Sequence, residues 1–298
     1  MTSMAQSLRN DGGSHNTLDE TDIMNIITAD GTRLYVEEHG QGVPIIFSHE
    51  FGGDFRSWKA QIDAFSGRNR CITYSARGFL PSDIPSDETA YGQNKSTEDI
   101  IAIADRLQLE KFHLVGLSMG SFSSLMAAAE HGHRLLSLTL IGCSSGPCSP
   151  QERTEYLQYI EGELEILKDG REAAAVSWFV RDPAYRRMPE KQPARWQIYC
   201  ENLHGQSVQG AINTLGTVHL ARQCVRDFRD ALVALDIPVL LVYGAEDHKY
   251  VRPNNLYLSS IIRNSKMVEF SETGHMVNIE EPERFNAIFR DHIEAAGK

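Results

Sequence analysis

The chain has 298 residues, 41% hydrophobic and 23% charged, which fits a water-exposed globular protein with one large domain or a domain carrying an insertion. Its formal net charge of −11 repels nucleic acid and anionic membrane, so neither is expected as a partner. No apolar run approaches the ~18 residues of a spanning helix. Residues 1–21 are polar, lack the apolar stretch of a secretory signal, and are expected to be a disordered tail. Five cysteines (Cys71, Cys143, Cys148, Cys200, Cys224) are scattered without metal-ligand spacing. They are expected to be free thiols in a reducing cytoplasm.

The first predicted element is a hairpin, Ile23–Thr28 and Arg33–Glu38, turned by Asp30-Gly31. Pro44–Ser48 suits a strand buried on both faces. A helix over Ser57–Phe65 and a strand over Arg70–Ser75 follow, then a loop rich in turn residues from Arg77 to Asp83. Ser96 and Asp99 have capping-box spacing and predict a helix start there, with Ile100, Ile103, Ala104 and Leu107 inward. Arg77 is expected to pair with a carboxylate structurally.

Next comes a strand from Phe112 to Val115, the turn Gly116-Leu117-Ser118-Met119-Gly120, and a helix with Phe122, Leu125, Met126 and Ala129 on one face. A serine on so tight a turn needs small residues two positions to either side, because strand and helix close on each other there. Gly116 and Gly120 meet that need. The turn exposes the Ser118 hydroxyl, and the Met119 N–H points at whatever it attacks. A strand over Leu136–Ile141 follows.

From 147 to 229 the rhythm of strands breaks. Helices are expected over Glu152–Leu167, Arg171–Val180 and Ala194–Leu203, a segment holding Trp178 and Trp196. This reads as a helical lid inserted into a core formed by 22–146 and 230–298. The core resumes with a strand over Ile237–Tyr243, a helix over Asn254–Ile262, a strand over Ser265–Phe270 and a last helix opened by Pro282. Strands alternating with helices imply an α/β fold with a mostly parallel, doubly wound sheet.

The strand–serine–helix turn resembles the nucleophile elbow of the α/β-hydrolase family, and the likeness runs over about residues 22–298. In that family the order is serine, acid, histidine. Asp247, in Gly244-Ala245-Glu246-Asp247 after a strand, resembles the acid, with Glu246 the weaker candidate. His275, after the final strand, resembles the base; the other ten of the 11 histidines need no such role. The resemblance implies Ser118, Asp247 and His275 as catalytic residues. It also implies an oxyanion hole from the N–H groups of Phe51 and Met119. Glu50 stands where the family usually has glycine, so a strained backbone or an acid beside the oxyanion is in question; Glu50 and Trp178 are candidate substrate contacts. His49 is expected to brace the loop, His248 to be an exposed loop residue, and Tyr156, Tyr159, Trp178 and Trp196 either to line the lid's inner face or to fill its core.

The implied activity is hydrolysis of a small ester or lactone through an acyl-enzyme, with no metal or organic cofactor. The partner is then a small molecule with an acyl or carbonyl group, and a homodimer is left open. Three other readings share the scaffold: a carbon–carbon bond hydrolase of a vinylogous diketone, a cofactor-free haloperoxidase-like perhydrolase, and a low-turnover ligand receptor. Only Glu50 favours the last.

Overall fold

The apolar runs of the chain pair into one eight-stranded sheet in the computed structural model, which describes residues 22–170 and 182–297. The strands are β1 (Asp22–Ile27), β2 (Arg33–His39), β3 (Val43–Ser48), β4 (Asn69–Tyr74), β5 (Phe112–Leu117), β6 (Leu135–Ile141), β7 (Val239–Gly244) and β8 (Ser265–Phe270). Their spatial order is β1-β2-β4-β3-β5-β6-β7-β8. The β1–β2 and β2–β4 pairs are antiparallel and the rest parallel. The expected tail (1–21) and the expected helix over Arg171–Val180, with Trp178, lie outside the described residues.

The central strands β5 and β7 are buried along their whole length, as continuous apolar runs with both faces covered should be. The helices flanking them are α1 (Lys59–Phe65), α2 (Gln93–Arg106) and α3 (Met119–His131). Between β6 and β7 the described residues form no strand; the main helices there are α4 (Pro150–Lys168), α5 (Pro193–His204) and α6 (Val208–Thr214). The core closes with α7 (Val251–Ile261) and α8 (Pro282–Ala296). One apolar cluster packs under α2, α3 and α7, and a second on the opposite face under α1 and α8.

Two expectations need correction. The capping box at Ser96 does not start α2, which begins three residues earlier at Gln93. Ser96 lies inside the helix and its hydroxyl donates to the Gly92 carbonyl at 3.2 Å. Asp99 is drawn off to Arg77, which donates to it through Nε (2.7 Å) and Nη2 (2.6 Å) and also reaches Asp30 at 2.8 Å. This buried fork ties the β1–β2 turn, the loop after β4 and α2 together, so Arg77 is structural. The second correction concerns the cysteines. Cys148 and Cys224 form a disulfide with Cα atoms 4.9 Å apart, while Cys71, Cys143 and Cys200 are free. The two partners are 76 positions apart, and only the return of the chain from α6 to the exit of β6 brings them together. The premise of five free thiols, and its support for a reducing compartment, therefore falls. Among the described residues no helix is long and apolar enough to cross a membrane.

Candidate active site

Ser118 sits at φ 53° and ψ −108°, a backbone conformation that L-residues rarely adopt. It is held there from both sides. Its own N–H bonds the Ile141 carbonyl of β6 at 2.9 Å, and its carbonyl accepts from Phe122 in α3 at 3.1 Å. The flanking glycines meet the predicted steric demand. A Cβ on Gly116 would lie 2.3 Å from the Gly120 carbonyl oxygen, and one on Gly120 would lie 2.2 Å from that of Ser48. Met119 opens α3, so its N–H lies in the first helical turn, where the helix supplies no acceptor.

The loop after β3 approaches the same turn. His49 braces it: Nδ1 donates to the Glu50 carbonyl at 2.7 Å and Nε2 accepts from Ala76 N–H at 2.9 Å. Its carbonyl accepts from Gly120 N–H at 3.1 Å. Burial holds its pKa below the usual value, consistent with a neutral ring in this tautomer. Positive φ falls at Gly52 (85°), not at Glu50, so the glutamate is unstrained. Its side chain is fully buried and turned toward Ser57, whose hydroxyl donates to Oε1 at 2.9 Å, while Oε2 has no hydrogen-bond partner. Burial pushes its pKa up to about 7.

His275 follows β8 and is pinned by its N–H to the Ala184 carbonyl at 2.8 Å. Its Nδ1 faces Asp247 Oδ1 at 2.6 Å, and both side chains are almost wholly buried. Burial alone would lower the His275 pKa; the ion pair with Asp247 outweighs it, and the net shift is upward. Glu246 is taken by Arg186 and Arg187, each at 2.7 Å, which leaves Asp247 as the acid beside the imidazole. Asp247, His248 and His275 have ligand-type atoms within 4.8 Å of one another, but Asp247 Oδ1 and His275 Nδ1 are already committed to each other.

Ser118, His275 and Phe51 line one cavity of about 350 Å³. Glu50 is not among its lining residues. The lining also includes Tyr156, Tyr159, Glu163, His219 and Arg222. Of the two alternatives, Tyr156 and Tyr159 thus take the cavity-lining one. Trp196 stacks on Tyr199 with ring centroids 5.7 Å apart, as a core residue would. His248, expected to be an exposed loop residue, lines the cavity with its ring 5.0 Å from that of His275.

Three features had no prediction. Gly142, just past β6, has φ +58°, and a Cβ there would lie 2.9 Å from His275 Cε1. His219 ends a π-helical turn over Leu215–His219, a local irregularity that often marks a functional site. Arg222 is buried beside it. A lone arginine or histidine in a helical segment carries no sequence signal of this kind; a glycine just after a strand is a weak one.

An open parallel sheet with a strained serine at a strand end, and a buried His–acid pair opening beside it, defines a hydrolase scaffold of the α/β class. A family model for the alpha/beta hydrolase fold matches residues 43–282, and the chain belongs to that family. It is 26% identical over 275 residues to 3-oxoadipate enol-lactonase 1 of Acinetobacter baylyi, covering 91% of this chain and 96% of that protein. It is 25% identical to a putative 2-succinyl-6-hydroxy-2,4-cyclohexadiene-1-carboxylate synthase of Bacillus subtilis, covering 91% and 98%. The solved esterase of Exiguobacterium antarcticum superposes with a TM-score of 0.79 at 22% identity, covering 91% of this chain and 98% of that one.

Proposed function

We propose that this protein is a serine hydrolase cleaving a small ester or lactone through an acyl-enzyme on Ser118. The observation that carries this reading is that the elbow serine lines the same cavity as His275, whose Nδ1 is paired with Asp247. A serine hydroxyl is a poor nucleophile near pH 7 and needs a base. Ser118 Oγ attacks the carbonyl carbon while His275 Nε2 takes its proton. Asp247 holds Nδ1–H and stabilises the imidazolium. The Met119 and Phe51 N–H groups receive the oxyanion. The imidazolium returns its proton to the leaving oxygen, and water then repeats the sequence on the acyl-enzyme. Residues 147–229 act as a cap over this site. The lactonase and esterase names among the relatives agree with an ester or lactone substrate. The receptor reading loses its one support, because Glu50 faces Ser57 rather than the cavity.

A fluorophosphonate probe with a panel of nitrophenyl esters tests the proposal. Labelling and turnover are expected in the native protein and neither in Ser118→Ala. Labelling that survives that substitution, or none at all, overturns it.

A further inference from the structure

We infer that Arg222 forms a carboxylate-binding subsite in the cavity, so that the substrate is an ester or lactone carrying a free carboxylate. The inference deepens the hydrolase reading and rests on it for the word substrate, but the subsite itself stands on its own geometry. Arg222 is 6% exposed and lines the same cavity as Ser118 and His275. Its Nη1 donates to Ser144 Oγ at 3.2 Å. Its Nε and Nη2 atoms have no hydrogen-bond partner. Among the described residues no carboxylate forms an ion pair with it.

A buried guanidinium with two unmatched donors is costly, and native structures seldom leave one so. The unmatched pair is chemically specific. Nε–H and the N–H of Nη2 lie along one edge of the planar group as two parallel donors, the pattern that takes a carboxylate in bidentate fashion. Other groups in the cavity do not neutralise it. One acid of the lining, Glu155, is already committed to Lys249 at 2.6 Å and accepts from the Tyr250 hydroxyl. Burial pushes Glu163 up to about 7, so it carries less than full charge near neutrality. The His219 ring also faces this space with Nε2 unpartnered, and burial together with the Arg222 charge keeps it neutral.

The position fits a substrate that spans to the nucleophile. The guanidinium carbon lies 5.2 Å from the ring centroid of Phe122, one turn of α3 past Ser118, a rise of about 5.4 Å. The cavity, at about 350 Å³, lies at the small end of ligand pockets, about 300–1,000 Å³. The segment carrying Arg222 is also clamped. The Cys148–Cys224 disulfide lies two residues on, Val225 N–H donates to Ser145 Oγ at 2.8 Å, and Gly146 N–H donates to the Gln223 carbonyl at 3.0 Å. Such bracing fixes the guanidinium before any ligand arrives.

Two measurements test it. The first compares the 4-nitrophenyl monoester of glutaric acid with neutral 4-nitrophenyl pentanoate in the native, Arg222→Gln and Arg222→Lys proteins. Arg222→Gln should lower the anionic-over-neutral ratio of kcat/KM by about 10–100-fold, and Arg222→Lys should restore part of it. An unchanged ratio overturns the subsite. The second needs no Arg222 variant to fold: calorimetric binding of glutarate and of dimethyl glutarate to Ser118→Ala. Glutarate should bind at least about 10-fold tighter; equal or weaker binding overturns the subsite. Preferential glutarate binding without fluorophosphonate labelling of Ser118 would keep the subsite and sink the hydrolase reading. Labelling with no charge preference would do the reverse.

Discussion

Replacing Glu50 by glutamine should make the folded protein more stable at alkaline pH. The carboxyl group is fully buried, accepts one hydrogen bond from Ser57, and leaves Oε2 unmatched. Gln keeps the shape and the Ser57 acceptor, and it places an uncharged NH2 where the orphan oxygen lies. The sign follows from the direction of the shift. Burial raises the folded pKa from 4.5 to about 7, so the folded state disfavours the ionised form. The native protein carries no penalty below about pH 4.5, accumulates it between about 4.5 and 7, and bears it in full above about 7. At about 1.36 kcal/mol per pH unit, that interval amounts to about 3 kcal/mol at pH 8. Urea denaturation of native and Glu50→Gln proteins at pH 5 and pH 8 measures it. The variant should gain most at pH 8 and little at pH 5. A stability difference independent of pH, or a variant less stable at pH 8, would refute the reasoning.

Asp247→Asn should cut kcat by about 10⁴-fold. It should also move the acid limb of the pH–rate profile down, because burial then acts on His275 without the ion pair that holds its pKa above 6.5; an unmoved limb in stopped-flow ester kinetics would sever that link. Gly142→Ala sets a methyl 2.9 Å from His275 Cε1 at a left-handed φ. Steady-state kinetics should show a loss of about 10²-fold at a stability cost of about 1 kcal/mol. Reduction of Cys148–Cys224, whose partners are 76 residues apart, should destabilise the fold by up to about 4.5 kcal/mol in the chain-entropy model. Denaturation midpoints with and without dithiothreitol test it, and alkylation of the unreduced, unfolded protein should label three cysteines rather than five.

The sheet was legible because its signal is local. Strands β3, β5 and β7 are short apolar runs bounded by turns, and burial on both faces demands that composition whatever the rest of the chain does. The elbow was legible because steric closeness two residues either side of Ser118 restricts those positions to glycine. What the sequence hid is what depends on distant partners. Ser96 and Asp99 have the spacing of a cap, but a buried Arg77 competes for the same carboxylate and wins, since a bidentate ion pair offers more than one exposed cap. Cys148 and Cys224 have no spacing to read, because their meeting depends on where α6 returns to the sheet. His248 looked exposed beside Asp247, yet the loop that aims Asp247 at His275 carries its neighbour to the same cavity.

The two buried ionisable groups Glu50 and Arg222 act in different ways. Glu50 belongs to the loop after β3, with its side chain outside the cavity lining, and when ionised it favours the protonated form of His275. Arg222 lines the cavity, and its Nε and Nη2 are buried without a hydrogen-bond partner. A substrate with a carboxylate at one end and an ester at the other gains from only one orientation, with its anion at Arg222 and its carbonyl at Ser118. The reverse orientation leaves the guanidinium unmatched. Orientation is then fixed before the chemical step, and part of the barrier is met by binding. It follows that Arg222→Gln should lower kcat as well as raise KM for the anionic ester: a loss confined to KM would mean that the arginine attracts the substrate without aligning it.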